Sequence, residues 1–176
     1  VSIVMIANTG AVVTKADSFV YLEQGTIDSI TPNDGQVGTI ATIAGVRLLG
    51  GGTNFTSISL AGVEVSTYSN TSDESITVRA GSSATTGAGD ILLVSNVGSR
   101  VTLTNGWTYN TASVITELVP SSGQIGTRVN VVGTNMLGYG NATRQVLLGD
   151  VEATIITSDE DMSDDSLDIV ANRHSG

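Results

Sequence analysis

At 176 residues, with 40% hydrophobic content and a mean hydropathy of +0.20, the chain can bury one large or two small cores and is no disordered polymer. Charged residues make up 14% and aromatics 4%, while Thr, Ser, Gly, Val and Ile dominate, a vocabulary of short strands and tight turns that predicts an all-β protein. Seven Lys+Arg against 17 Asp+Glu leave a net charge of −10, which repels phosphate backbones and anionic lipid and argues against nucleic acid or a membrane surface as partner.

The chain opens on VSIVMIA, which has neither the basic start nor the apolar length of a signal peptide, and no apolar run approaches the roughly 20 residues of a membrane span. Because residue 1 is Val, a processed or excised piece is expected. From Ile27 the strand signals recur at sandwich spacing: Ile27 to Thr31, Thr39 to Ala44, Ser57 to Leu60, Val63 to Tyr68, Ser75 to Ala80, Asp90 to Ser95, Val101 to Leu103 and Trp107 to Tyr109. Within SITVRA, the alternation places Ile76 and Val78 inward and Thr77 and Arg79 toward water, and Leu167 and Ile169 repeat it later.

The chain then repeats itself. ITPNDGQVGT begins at Ile30 and LVPSSGQIGT at Leu118, 88 positions on. The same offset pairs Pro32 with Pro120, Gly35 with Gly123, Gly45 with Gly133, Leu60 with Leu148 and Glu64 with Glu152. A period of that length is one small β-domain. Pro32 restricts φ and ends a strand, and the glycines supply turn conformations that other residues resist.

An opening of hydrophobic-x-Pro-x-x-Gly-x-x-Gly-Thr, a glycine-bearing strand and loop, a Leu-x-x-Val hairpin and a closing aromatic-x-Tyr resemble the IPT/TIG family of immunoglobulin-like domains. Residues 27–109 carry the whole pattern and 115–171 most of it. The resemblance implies tandem immunoglobulin-like β-sandwiches. Some members bind DNA through basic loops, a role this acidic chain does not inherit.

The repeats are cut inside a domain. Residues 115–176 lack a match to DILLVSNVGSRVTLTNGWTY, yet residues 1–22 supply one: Ile3 aligns with Ile91, Gly10 with Gly98, Val13 with Val101, Phe19 with Trp107 and Tyr21 with Tyr109. Three segments are therefore expected: 1–22 as the closing strands of another sandwich, 27–109 as a complete domain, and 115–176 as a domain without its last strands. A two-stranded hairpin alone is marginal in water. If about five of Val1, Ile3, Met5, Val13, Phe19 and Tyr21 face a core, their burial contributes roughly 7 to 15 kcal/mol, the scale of a whole small domain. Three arrangements satisfy both ends: the N-terminal strands complete the next identical protomer, head to tail; the chain is one stretch of a covalent array; or it folds back on itself, which equal linkers at Leu22–Thr26 and Asn110–Val114 disfavour. The expected function is a structural protomer of an extracellular or cell-surface fibre. The competing expectation is a spacer or ligand-binding ectodomain of a receptor or adhesin, or an accessory module of a carbohydrate-active enzyme.

Chemistry is sparse. Cys is absent, which excludes disulfides and thiolate metal sites. Asn54, Asn70 and Asn141 begin Asn-x-Ser/Thr sequons, so N-linked glycans are expected. The run SDEDMSDDSLD offers Asp159, Asp161, Asp164 and Asp165 as Ca²⁺ ligands, but it lacks EF-hand spacing and a solvated acidic loop is the preferred reading. His174 is the single histidine, so no catalytic site and no cofactor are expected. LLGGGTN lacks the Gly-Lys-Ser/Thr of a phosphate loop, and Trp107 reads as core in preference to a sugar platform.

Overall fold

In the computed structural model, residues 1–157 and 163–173 are described, and all regular structure among them is strand. Two strands, β1 (Ile3–Ile6) and β2 (Val12–Lys15), pair only with each other among the described residues. Nine follow: β3 (Thr26–Thr31), β4 (Asp34–Gly35), β5 (Ile40–Val46), β6 (Phe55–Leu60), β7 (Val63–Glu64), β8 (Thr67–Ser69), β9 (Ser75–Arg79), β10 (Gly87–Ser95) and β11 (Arg100–Tyr109). They make two sheets, β4-β11-β10-β6-β7 and β3-β5-β9-β8, whose inner faces share one core: an immunoglobulin-like sandwich.

Period-2 alternation builds that core. Ala41 and Ile43 of β5 and Ile76 and Val78 of β9 point inward from one sheet; Ile58, Leu60, Ile91, Leu93, Val101 and Trp107 meet them from the other. Gly45 sits where β3 bulges against β5, and a Cβ there would lie 2.1 Å from the Thr26 carbonyl oxygen. Gly133 does the same against Val114 O at 2.3 Å, so the recurrence of this glycine answers a close backbone approach.

Three details depart from the strand spans expected of the sequence. Val63 to Tyr68 divides into β7 and β8, because the chain changes sheets there: Val65 N–H bonds Ile58 O on one side and Ser66 N–H bonds Arg79 O on the other. The segments at 101–103 and 107–109 are a single strand, β11, running through an irregularity in which Asp90 Oδ1 accepts the Asn105 N–H at 2.9 Å. Asp34–Gly35 pairs parallel with the end of β11, a two-residue contact with no periodic signature.

Residues 114–170 hold β12 (Val114–Val119), β13 (Arg128–Thr134), β14 (Val146–Leu148), β15 (Val151–Ile155) and β16 (Ser166–Val170), in the order β12-β13-β16-β15-β14. The register repeats the first sandwich: Val131 faces Leu167 as Ile43 faces Ile76. The loops agree as well. Asp73 accepts Leu49 N–H on Oδ1 at 2.9 Å, and Asp164 accepts Leu137 N–H at 3.0 Å. Both prolines of the repeated decamer, Pro32 and Pro120, follow cis bonds.

Candidate functional site

The β1–β2 hairpin is a structural copy of β10–β11. Ile3 pairs with Lys15, Met5 with Val13 and Ile6 with Val12, as Ile91 pairs with Leu103, Leu93 with Val101 and Val94 with Arg100. The turns match: Gly10 N–H bonds Ala7 O at 2.9 Å, Gly98 N–H bonds Ser95 O at 2.9 Å, and both glycines have positive φ. The Val1 ammonium donates to Phe19 O at 2.6 Å where Gly89 pairs with Trp107. Even the edge-to-face pairs correspond, Phe19–Tyr21 at 5.0 Å and Trp107–Tyr109 at 5.8 Å, both at 77°.

What differs is burial. Ile91, Leu93, Val101, Trp107 and Tyr109 are core residues, whereas Ile3, Met5, Val13, Phe19 and Tyr21 are exposed, Met5 to 60% and Tyr21 to 79%. The sheet of residues 114–170 is exposed where its counterpart in the first sandwich is covered. Among the described residues, no strands stand where β10 and β11 stand in the first sandwich, and β14 has one free edge. Ile115 is 62% exposed against 6% for its counterpart Ile27, and Leu118 36% against 7% for Ile30. Two clefts open onto this face. One of about 480 Å³ is lined by Leu118, Pro120, Gly123, Gln124, Leu148 and Ala171; one of about 370 Å³ is lined by Val114, Ile115, Val131, Met136, Val146 and Leu167.

A joint ties the complete sandwich to the next sheet. The half-buried Gln36 carboxamide accepts the Ser113 N–H on Oε1 at 2.7 Å and donates from Nε2 to Ser113 Oγ at 2.7 Å, while that hydroxyl donates to Asn135 O. Tyr139 O–H adds a bond to Thr111 O at 3.2 Å. Sequence reasoning did not single out Gln36, although the glutamine recurs in both copies of GQ-x-GT; its role depends on a residue 77 positions away.

The other candidates are scattered. Asn54 lies exposed just before β6, Asn70 at the end of β8 with φ 50°, and Asn141 in the exposed loop before β14, so all three sequons face solvent on separate loops. Asp164 is occupied in holding its loop and Asp165 lends its carbonyl to Gly133 N–H. Asp159, Asp161 and His174 lie outside the described residues. Among the described residues no cluster of three acidic, His or Cys side chains could hold a metal ion. Trp107 is fully buried, as core. Burial pushes the neighbouring Tyr109 phenol above its usual 10.0, partly opposed by the Gly81 backbone.

Comparison with known proteins agrees with this architecture. A family model described as the IPT/TIG domain matches residues 26–112 and again 113–167. Among solved structures, the full extracellular region of plexin A4 is similar in two forms: domains 1 to 8, with a TM-score of 0.52 and 19% identity over 89% of this chain and 16% of that one, and domains 1 to 10, with 0.53 and 18% over 89% and 14%. SGBP-B from a xyloglucan utilization locus in Bacteroides uniformis aligns at a TM-score of 0.38 and 16% identity, over 86% of this chain and 43% of that one. The chain spans less than a fifth of the plexin chains, and at these identities the likeness is one of fold. No curated protein matches. With consecutive segments of one family model covering most of its length, and with that family's β-sandwich in its structure, the chain belongs to the IPT/TIG domain family.

Proposed function

We propose that this chain is a structural, non-catalytic unit of an extracellular glycosylated fibre, assembled as its β1–β2 hairpin completes the open sandwich of another copy. The carrying observation is that the four pairs of the hairpin repeat the register of Ile91–Val94 against Arg100–Leu103, with side chains that are exposed where their counterparts are core. Transferring the β10–β6 pairing to the second sheet sets β1 against the free edge of β14, Ile3 opposite Leu148, Val4 opposite Leu147 and Met5 opposite Val146. Tyr21 then stands beside Gly123 as Tyr109 stands beside Gly35. Strand addition satisfies backbone groups along an edge, and the inward side chains fill the clefts. Because donor and acceptor lie on different parts of the chain, the contact is heterologous and propagates. Glycans on Asn54, Asn70 and Asn141 would cover the outer loops.

The fold shared with the extracellular region of plexin A4 supports a second reading, a spacer module within a larger ectodomain. Light scattering and electron microscopy of the 176-residue chain separate the two. Head-to-tail polymers are expected, along with a monomer when residues 1–22 are deleted. A monomeric full-length chain, or a deletion variant that polymerises as well as its parent, rejects strand completion. The mass of the native material after denaturation then tells separate protomers from a covalent string.

A further inference from the structure

We propose that Gln124 is the docking group for the linker of the adjoining copy, its Oε1 accepting the Gly25 N–H across the joint. The inference rests on strand completion and adds the contact that orients one sandwich on the next. Gln36 and Gln124 occupy the same turn: their backbone N–H groups bond Thr39 Oγ1 at 3.1 Å and Thr127 Oγ1 at 2.9 Å. Gln36 uses that position to grip Ser113, the fourth residue after Tyr109. The fourth residue after Tyr21 is Gly25. Gln124 is exposed, its carboxamide has no partner among the described residues, and it lines the cleft that Tyr21 and its linker would enter.

The joint between copies is not identical to the internal one. Ser113 is half-buried with an N–H and a hydroxyl to give, while Gly25 is buried in the single chain and has only the N–H, and a Cβ at Gly25 would lie 2.2 Å from Arg47 O. No side chain fits there. Arg47 compensates by holding the same linker, with bonds to Gln24 O at 3.3 Å and Glu23 at 3.2 Å. A fibre of such units would alternate a doubly bonded joint at Ser113 with a singly bonded one at Gly25.

Amide hydrogen exchange of polymers, read on peptides spanning residues 22–27, tests the contact. Gln124→Ala polymers should form and exchange the Gly25 amide about tenfold faster than wild type, and Gln124→Glu, which keeps an acceptor oxygen, should restore protection. Equal exchange in wild-type and Gln124→Ala polymers overturns the docking role while leaving strand completion intact. Failure of the wild-type chain to polymerise overturns both.

Discussion

Ile27 and Ile115 hold the same position in two copies of one sequence pattern, yet the first is 6% exposed and the second 62%. Ile27 lies on β3, against which β11 packs across the sandwich, and nothing among the described residues plays that part for β12. The two isoleucines should therefore respond differently to truncation. Ile27→Ala should lower the stability of the complete sandwich by about 2 to 5 kcal/mol. Ile115→Ala should change the unpolymerised chain by about 0.5 kcal/mol or less and speed the dissociation of polymers. Urea unfolding and dilution-induced disassembly give the two readouts.

Met5 offers a sharper test of the donor face. Exposed in the single chain, it corresponds to the fully buried Leu93. Met5→Asp should leave the solubility and melting of the chain unchanged and abolish polymerisation, because an unpaired carboxylate in a core costs several kcal/mol. Asp in place of Val4, which corresponds to the half-buried Leu92, should be milder.

Tyr109 should make the first sandwich sensitive to alkali. Its folded pKa lies above the unfolded value of 10.0, because burial disfavours the phenolate. Below about pH 10 both states are protonated and stability is intact. Above it the unfolded chain loses a proton that the folded chain retains, so stability falls as pH rises from 10.0 toward the folded pKa. Tyr109→Phe should flatten that decline, measured by urea titrations at pH 9 to 11.

Asn54→Gln, Asn70→Gln and Asn141→Gln should each remove the mass of one glycan from material produced in the native host. Since each site lies on an exposed loop, the unglycosylated fold should remain intact by circular dichroism.

Much of this was legible in the chain itself. The alternation of Ile76 and Val78 and the match of Phe19 to Trp107 are local or periodic patterns; they determined the all-β class and the tandem repeat, and with the equal linkers they motivate the proposal that residues 1–22 are closing strands of another sandwich. The paired registers of the hairpin and of β10–β11 have the same origin, since one sequence pattern folds one way twice. Tertiary structure alone decided which equivalent side chains are wet, that Val63 to Tyr68 divides between two sheets, that Asp164 is spent on a backbone amide, and that Gln36 clasps Ser113. Burial and long-range hydrogen bonds depend on what lies across a core or a joint, and residues 77 positions apart carry no periodic trace of their contact.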